Sequence, residues 1–462
     1  MNNQRLELVA DFYEYTMSNG YLNKKMENQI AYFDVFFRKV PDEGGYAIIA
    51  GLEQIINYIK NLSFDEEDIN YLRKQNKFSE EFLNYLENFR FTGDVWAIPE
   101  GTVVFPNEPL ITVRAPIIQA QLLETMLLLT TNHQSLIATK TSRIVKEAQG
   151  RPVMEFGARR AHGINAAVEG ARAAIIGGAI GTSCTLSAKE FNVPASGTMA
   201  HSWVQSFDSE YEAFKTYAEI YPDDCTLLID TYNTIESGLP NAIKVFNEVL
   251  KPKGYKPKAV RLDSGDLAYL SKKVRKILDE AGYTECKICA TNSLDEYLIK
   301  SLIEQDAKID SFGVGENLIT AKSEPVFGGV YKLVGIEKDT KIIPKIKVSE
   351  NVVKVTNPGF KKVYRFYDNE SQKAIADVIA LSDEIIDERE YMIFDPQNPW
   401  KKKLIKDYTI RELQEKIFEN GKLIYKSPTL EEIAKKSKKE LNSIWEEVKR
   451  IENPHKYYVD LS

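Results

Sequence analysis

One histidine stands in a turn whose composition suits phosphate chemistry. Residues 196–203 read Ser-Gly-Thr-Met-Ala-His-Ser-Trp and follow a short apolar run at 193–195. This order predicts a buried strand that ends in a glycine-containing turn, with a helix starting near His201. Small neighbours leave room for a ligand and leave backbone N–H groups available for an anion. Because a single histidine in such a turn is more often structural, its function depends on its neighbours in the fold.

Three further segments carry charged residues or glycines in patterns that suit phosphate binding. Residues 155–160 read Glu-Phe-Gly-Ala-Arg-Arg, 261–266 read Arg-Leu-Asp-Ser-Gly-Asp, and 312–320 read Phe-Gly-Val-Gly-Glu-Asn-Leu-Ile-Thr. Arginine forks match phosphate oxygens, carboxylates bind hard cations, and a glycine-rich turn before a helix offers backbone donors. Each segment also has a structural interpretation, such as a surface ion pair for an arginine or a helix N-cap for Asp263 or Ser264.

These segments fall at the ends of apolar runs that repeat at the spacing of strand-plus-helix units. Seven runs end in a polar residue or glycine and are followed by helical patterns: 153–156, 179–182, 193–196, 226–230, 259–263, 287–292 and 309–313. Such repetition predicts parallel βα units, whose strand ends share one edge. Since no G-x-G-x-x-G turn follows the first strand, we predict an irregular (β/α) barrel-like domain, with a doubly wound open sheet as the alternative. Ser293 and Glu296 predict a capping box after the sixth run.

The flanking segments have different patterns. Alternation at 31–37 predicts a strand, and unbroken apolar periodicity at 117–150 predicts a long helix or helix pair. We expect an N-terminal α+β domain over residues 1–125 and a barrel-like catalytic domain over 126–327. Residues 328–462 should form antiparallel strands and C-terminal helices that pack back on the N-terminal domain. The predicted fold class is therefore α/β, with a second α+β domain built from both ends of the chain.

Composition narrows the function classes. The chain has 462 residues, enough for two or three domains, and 43% of them are hydrophobic, which excludes a disordered protein. The net charge of −7 argues against nucleic-acid binding. The four cysteines are few and unpatterned, as in proteins of the reducing cytoplasm. The polar N-terminus and the lack of a long apolar run predict neither a signal peptide nor a membrane span.

The four chemistry-bearing segments together resemble the nicotinate phosphoribosyltransferase family, and the likeness extends from Asp11 to Ser462. The resemblance implies a type II phosphoribosyltransferase that joins nicotinate to phosphoribosyl pyrophosphate and releases nicotinate mononucleotide and pyrophosphate, in the salvage route of NAD synthesis. It also implies coupled ATP hydrolysis in a ligase-type overall reaction, Mg²⁺ as cofactor, and a homodimer with shared active sites.

The resemblance further implies roles for individual residues. His201 matches a histidine that ATP phosphorylates, and Arg261 and Asp263 match catalytic residues beside it. The implied Mg²⁺ ligands are three aspartates, Asp230, Asp263 and Asp266. The implied substrate-binding residues are Tyr13, Arg38, Phe156, Arg159, Ser183, Thr291, Asn292, Gly313, Gly315 and Thr320.

The pyridine site is implied by four of these positions. Phe156 and the partner subunit's Tyr13 match aromatic residues that stack on the ring, although each is by composition more often a core residue. Arg38 matches an arginine that reaches across the dimer interface. The related enzyme for nicotinamide has an aspartate where this chain has Ser183, and that carboxylate about 4 Å from nicotinate's would cost up to about 4 kcal/mol. Glu316 stands where the family has a small or hydroxyl residue, so we expect it to point away from a bound phosphate.

Several alternatives remain open from the sequence. The nearest is a relative that uses nicotinamide, or quinolinate, although the quinolinate enzymes are much shorter chains. A nucleotide-binding homologue without turnover would keep the fold and lose the reaction. An unrelated metal-dependent barrel lyase would lack the paired Phe-Gly-x-Arg and Arg-x-Asp-Ser-Gly-Asp motifs.

Overall fold

The computed structural model of the chain describes residues 6–347, 356–387, 389–395 and 398–462. The chain forms two compact units. Unit 1 contains residues 1–139 and 324–462, and unit 2 contains residues 140–323. Parallel and antiparallel sheets occur separately, so the predicted α/β class with an additional α+β part is confirmed.

The first 139 residues contain short strands and a series of helices, of which the last, α6, is the longest. The helices are α1 (Phe12–Asn23), α2 (Leu52–Asn61), α3 (Glu66–Lys74), α4 (Glu80–Glu87), α5 (Ile117–Gln121) and α6 (Glu124–Glu147). The strands are β1 (Ile30–Phe37), β2 (Ala47–Ile48), β3 (Asp94–Ala97), β4 (Val103–Val104) and β5 (Ile111–Pro116). The predicted strand at 31–37 and helix pair at 117–150 are therefore confirmed.

Unit 2 alternates strands and helices. Its strands are β6 (Val153–Glu155), β7 (Thr226–Leu228), β8 (Ala259–Leu262), β9 (Lys287–Ala290) and β10 (Ser311–Val314). Its α-helices, besides the end of α6, are α7 (Ile164–Ile176), α8 (Thr185–Phe191), α9 (His201–Gln205), α10 (Glu210–Ile220), α11 (Leu239–Val245), α12 (Leu267–Glu280), α13 (Glu296–Glu304) and α14 (Glu316–Ile319).

The C-terminal segment is mostly antiparallel strand. Its strands are β11 (Gly329–Lys338), β12 (Lys341–Pro344), β13 (Lys361–Asp368), β14 (Ala374–Leu381), β15 (Glu390–Asp395), β16 (Asn398–Lys406), β17 (Tyr408–Glu412), β18 (Glu415–Glu419), β19 (Lys422–Leu423) and β20 (Val459–Leu461). One helix, α15 (Leu430–Ser443), lies among them. In unit 1 the sheet with the strand order β12-β11-β1-β5-β3-β18-β19 interleaves strands from both ends of the chain, whereas the sheet β17-β13-β14-β20 contains C-terminal strands alone.

A buried ion network joins distant segments of unit 1. The Arg365 guanidinium, fully buried, donates to Asp377 Oδ2 at 2.6 Å, to Glu440 Oε2 at 3.2 Å and to the Val103 carbonyl at 2.8 Å. Tyr457 donates its hydroxyl to Asp377 Oδ1 at 3.0 Å. Removing one partner would leave a buried charge without compensation, so the network holds these segments in one arrangement.

Helix α1 carries a buried carboxylate at its first turn. Glu14 Oε1 accepts from the Asp11 N–H at 3.2 Å and from the Thr125 hydroxyl, while burial raises the pKa of this carboxyl to about 7. The nearby Glu124 raises the pKa further. Because the folded pKa exceeds the unfolded value of 4.5, the stability from this group is full below pH 4.5 and is lost as pH rises through 7.

We expect Glu14→Gln to remove this pH dependence while keeping the oxygen that accepts both bonds. Between pH 4.5 and 8, the free energy of unfolding of the parent protein should fall by up to about 3 kcal/mol relative to the variant. Urea titrations at several pH values measure the difference, with the exposed Glu87→Gln as the matched control. Parallel curves for parent and Glu14→Gln would contradict the assignment.

The parallel sheet of unit 2 has the order β6-β10-β9-β8-β7. Two single-residue bridges, Glu155 to Thr182 and Thr182 to Ala195, extend it beyond β6. All seven predicted runs therefore lie side by side. Within residues 140–323 the ladder does not close into a barrel, because the chain leaves the sheet after Ala195 and no backbone pairing joins it to β7.

Two helix starts in unit 2 show which side chains cap. Asp266 begins α12 and accepts from the Tyr269 N–H at 3.0 Å. Asp295 begins α13 and accepts from the Leu298 N–H at 2.8 Å, so the predicted capping box from Ser293 is wrong. Ser293 instead has a left-handed backbone, with φ of 50°, which places the helix start two residues later.

Among the described residues, none of the helices has the length and apolar character needed to cross a membrane.

Candidate functional site

The strand ends of the parallel sheet bring the candidate polar residues into direct contact. Parallel strands place their C-termini at one edge, where side chains beyond each strand can meet. There His201 reaches Asp263, Asp263 reaches Thr291 and Asp230, and Arg261 reaches the turn before α9. This edge of unit 2 is the candidate active site.

His201 is held through both ring nitrogens. Its Nδ1 lies 3.1 Å from Thr231 Oγ1, and its Nε2 lies 3.5 Å from Asp263 Oδ2. The side chain remains 38% exposed, so a ligand can reach the ring. These two contacts join the start of α9 to the segments that follow β7 and β8. The sequence did not single out Thr231, although it directly follows the candidate ligand Asp230.

Asp263 and Asp230 are linked by short hydrogen bonds. Asp230 Oδ2 accepts from the Asp263 N–H at 3.0 Å and from the Ser264 hydroxyl, and Asp263 Oδ1 accepts from the Thr291 hydroxyl. Thr291, an implied substrate-binding residue, therefore orients Asp263 here. Asp230 Oδ1 is buried and has no hydrogen-bond partner among the described residues.

The donor set fits a hard cation in part. Asp230 Oδ1 offers a free buried oxygen, and carboxylates together with substrate phosphates and water form the shell that Mg²⁺ prefers. Asp266 instead uses its carboxylate to cap α12. Within the described ranges, no group of three or more His, Cys, Asp or Glu side chains is arranged to hold a metal ion. The structure thus does not show the predicted three-aspartate set as a preformed site.

Arg261 holds the histidine turn in place. Its guanidinium donates to Thr198 Oγ1 at 2.7 Å and to the Met199 carbonyl at 2.8 Å. Its Nε is buried without a partner in the part of the chain described. The predicted phosphate ligand therefore uses two of its five N–H groups to hold the turn just before His201.

The neighbouring residues Arg159 and Arg160 have different surroundings. Arg159 is exposed, and its guanidinium has no partner among the described residues. Arg160 lies 3.9 Å from Glu316 Oε2, and Lys322 donates to Glu316 Oε1 at 2.9 Å. Lys322 and then Arg160 lower the pKa of the Glu316 carboxyl. Glu316 is thus ionised and paired with two cations, while Arg159 remains available to a phosphate.

The glycines of the 312–320 segment make room for Phe156. A Cβ on Gly313 would lie 2.5 Å from the Phe156 ring and 2.8 Å from the Thr291 methyl, so only glycine fits under the ring. The Phe156 N–H donates to the Val314 carbonyl at 2.7 Å. Gly313, predicted to contact phosphate, therefore supports the aromatic ring, and a Cβ on Gly315 would approach the Phe156 carbonyl at 3.2 Å.

A buried carboxylate connects the Phe156 loop to Ser183. Glu155 accepts from the Gly157 N–H and from the Thr182 hydroxyl at 2.6 Å. Burial raises the pKa of Glu155, and these two bonds lower it. Ser183 is exposed and donates its N–H to the Glu155 carbonyl at 2.9 Å. The sequence did not predict a role for Glu155 or Thr182. Their positions next to Phe156 and Ser183 are the one feature of the sequence that could have indicated it.

The remaining residues with an implied role in substrate binding lie in both units. Asn292 is exposed and has a φ of 86°, a left-handed conformation, at the end of β9. Thr320 donates its hydroxyl to the Glu316 carbonyl at 2.7 Å, one turn back in α14. Tyr13 and Arg38 lie in unit 1, where Tyr13 is 43% exposed and the Arg38 guanidinium stands 5.5 Å over the Phe36 ring.

Comparison with known proteins adds a family assignment. Three family models match the chain: the nicotinate phosphoribosyltransferase N-terminal domain at residues 8–132, the nicotinate phosphoribosyltransferase family at 152–357, and the C-terminal domain at 360–462. Nicotinate phosphoribosyltransferase of Bacillus subtilis is 46% identical over 458 residues, which cover 99% of this chain and 93% of that protein. The Caenorhabditis elegans protein of that name is 34% identical, covering 98% and 91%.

Solved structures agree in fold. The crystal structure of human nicotinic acid phosphoribosyltransferase matches with a TM-score of 0.87 at 26% identity, covering 98% of this chain and 97% of that one. The structure of nicotinate-nucleotide pyrophosphorylase from Pyrococcus furiosus matches with a TM-score of 0.73 at 24% identity, covering 96% and 97%. The second likeness concerns the fold alone.

Proposed function

The chain belongs to the nicotinate phosphoribosyltransferase family and is an enzyme of NAD biosynthesis, and we propose that it couples this transfer to ATP hydrolysis through His201. In the proposed reaction, nicotinate displaces pyrophosphate from phosphoribosyl pyrophosphate to give nicotinate mononucleotide. The supporting observation is that His201 stands, partly exposed, between Thr231 and Asp263 at the edge where the parallel strands end.

The first proposed step is phosphorylation of His201. A ring nitrogen attacks the γ-phosphorus of ATP, an N–P bond forms, the bond to the bridging oxygen breaks, and ADP leaves. Thr231 and Asp263 fix the orientation of the ring, and Arg261 fixes the turn that carries it. After the transfer step, water attacks the phosphorus, the N–P bond breaks, and phosphate leaves the restored histidine.

The second step is transfer of the phosphoribosyl group. Positive charge develops on the ribose as pyrophosphate departs, as in other reactions at a sugar carbon. Asp230 and Asp263, together with the substrate, would hold Mg²⁺, which when bound would supply positive charge for the leaving pyrophosphate. The exposed guanidinium of Arg159 supplies a further cation for phosphate oxygens. Asp263 also keeps a negative charge close to the reacting sugar.

The pyridine is proposed to lie against Phe156, with Ser183 near its carboxylate. The ring of Phe156 rests on Gly313, and Ser183 is exposed on the neighbouring segment. A homodimer would add the partner subunit's Tyr13 to the opposite face of the ring and Arg38 to the phosphate site. Tyr13 is exposed in unit 1, as a residue that meets a second copy must be. We place the enzyme in the reducing cytoplasm, in keeping with its four unbonded cysteines.

The proposed function is tested by base preference and ATP coupling. Purified protein with phosphoribosyl pyrophosphate and Mg²⁺ is supplied with nicotinate or nicotinamide, each with and without ATP, and the mononucleotides are separated chromatographically. We expect nicotinate mononucleotide to form, with ATP increasing its yield. Preferential turnover of nicotinamide, or no mononucleotide from either base, would contradict the proposal.

We expect Ser183→Asp to reverse part of this preference. A carboxylate about 4 Å from that of nicotinate would cost up to about 4 kcal/mol near a protein surface, close to a thousandfold in kcat/KM. Neutral nicotinamide would escape this penalty. The measurement is the ratio of kcat/KM values for the two bases, with Ser183→Asn as the uncharged control of similar size. Equal ratios in parent and Ser183→Asp would refute the charge argument.

A further inference from the structure

The side chain of Glu155 forms hydrogen bonds to two segments of the chain, one beside Phe156 and one beside Ser183. Its side chain is fully buried at the end of β6. One carboxylate oxygen accepts from the Gly157 N–H, and the other accepts from the Thr182 hydroxyl at 2.6 Å. Gly157 follows Phe156 directly, and Thr182 directly precedes Ser183. A single carboxylate thus fixes the two backbone segments proposed to face the pyridine.

Thr182 extends the connection past Ser183. Its Oγ1 accepts from the Cys184 N–H at 2.9 Å while its hydroxyl proton goes to Glu155. The Ser183 N–H donates to the Glu155 carbonyl at 2.9 Å. Bonds on both sides of Ser183 therefore lead back to Glu155. A hydroxyl can serve in this way because it donates one hydrogen bond and accepts others.

The sheet itself does not require an acid at this position. β6 pairs with β10 through backbone groups, as does the bridge between Glu155 and Thr182. A buried carboxylate is unfavourable unless its oxygens are hydrogen-bonded, so an apolar residue would fill the same space at lower cost. What the Glu155 side chain adds is two oxygen acceptors for two donors at once, whereas an amide in the same orientation offers one.

Resting on the proposed function, we infer that Glu155 and Thr182 are positioning residues for the pyridine, here termed the Glu155–Thr182 clamp. The clamp sets the spacing between Phe156 and Ser183, and with it the affinity for the heteroaromatic acid. Among the described residues, no hydrogen bond or ion pair joins the side chain of Glu155 or Thr182 to the phosphate-binding groups His201 or Arg159. Loosening the clamp should therefore affect the pyridine acid and spare the phosphate chemistry.

The test uses four variants of the full-length enzyme. Glu155→Gln keeps the shape of the side chain but offers one acceptor in place of two, and Thr182→Val keeps the shape without the hydroxyl. Thr182→Ser retains the hydroxyl and serves as the conservative control. The double variant Glu155→Gln/Thr182→Val tests whether the two act as one unit. For each, KM for nicotinate, KM for phosphoribosyl pyrophosphate, kcat, melting temperature and ATP-driven phosphoenzyme are measured.

The clamp predicts a selective effect. Glu155→Gln and Thr182→Val should each raise KM for nicotinate about tenfold, a change of roughly 1.4 kcal/mol, and the double variant should be no worse than the more affected single variant. In these variants the KM for phosphoribosyl pyrophosphate and the amount of phosphoenzyme should each stay within about twofold of the parent values. The Thr182→Ser variant, which keeps the hydroxyl, should have the same KM for nicotinate as the parent.

Two results would overturn the inference. A folded Thr182→Val enzyme with an unchanged nicotinate KM would show that the hydroxyl is dispensable. Proportionate losses in both KM values and in phosphoenzyme, tracking the melting temperature, would show a purely structural role. If Glu155→Gln does not fold, the comparison of Thr182→Val with Thr182→Ser decides alone. Failure of the parent enzyme to form nicotinate mononucleotide would instead refute the proposed function.

Discussion

His201→Ala is expected to abolish ATP-driven phosphorylation of the protein. The imidazole supplies the nitrogen that accepts the phosphoryl group, and alanine has no nucleophile to replace it. Transfer of the phosphoribosyl group should persist at a reduced rate and lose its response to ATP, because the residues that hold the substrates remain. The measurement is ³²P incorporation from γ-labelled ATP, together with nicotinate mononucleotide formed with and without ATP.

The matched control is His455→Ala. His455 is exposed in unit 1 and has a ring contact with Tyr458, at 6.3 Å between centroids. Labelling of this variant should equal that of the parent. Undiminished, base-stable and acid-labile labelling of His201→Ala would place the phosphoryl group on another residue and remove the carrier role from His201.

Asp263→Asn is expected to lower kcat/KM by about a hundred- to a thousandfold, the loss that follows removal of one preorganised electrostatic group. Asp263 faces His201 through Oδ2 and is held by Thr291 through Oδ1. An amide at this position would carry no charge to oppose the developing cation or to bind Mg²⁺. The side-chain volume is unchanged, so the loss reports charge and not packing.

Asp266→Asn is the control that separates the two aspartates of the Arg-x-Asp-Ser-Gly-Asp motif. Asp266 caps α12, and asparagine is about as good an N-cap as aspartate. We expect its kcat/KM to stay within about threefold of the parent, since no charge is lost from the ligand site. Equal losses in the two variants would return Asp266 to the magnesium ligands, as the sequence first suggested.

The sequence predicted the polar edge of unit 2 because parallel strand ends must converge. Each run ended in a polar residue or glycine, such as Asp230, Asp263 or Asn292 directly after Thr291, and strand-plus-helix spacing placed these ends at one edge. The contact of Asp263 with His201, and those of Asp230 and Thr291 with Asp263, follow from that geometry. The sheet in which they meet stays open, because the segment ending at Ala195 pairs through a single bridge before it turns away.

Other features could not be predicted, because they depend on contacts between residues distant in sequence. Gly313 suggested a phosphate turn, whereas its missing side chain makes room for the Phe156 ring. Arg261 suggested a phosphate ligand, whereas two of its N–H groups hold Thr198 and Met199. Local pattern gives the type of residue at a strand end, but the partner of each group is decided by the approach of a second segment.

A crystal structure of the enzyme with Mg²⁺, phosphoribosyl pyrophosphate and nicotinate would test the central claim most directly. That claim is that one edge of the parallel sheet holds both substrates. We predict the pyridine ring stacked on Phe156, the diphosphate close to Arg159, and a metal ion bound to Asp230 Oδ1. Substrates bound elsewhere, with the His201–Asp263 contact and Asp230 untouched by ligand, would contradict it.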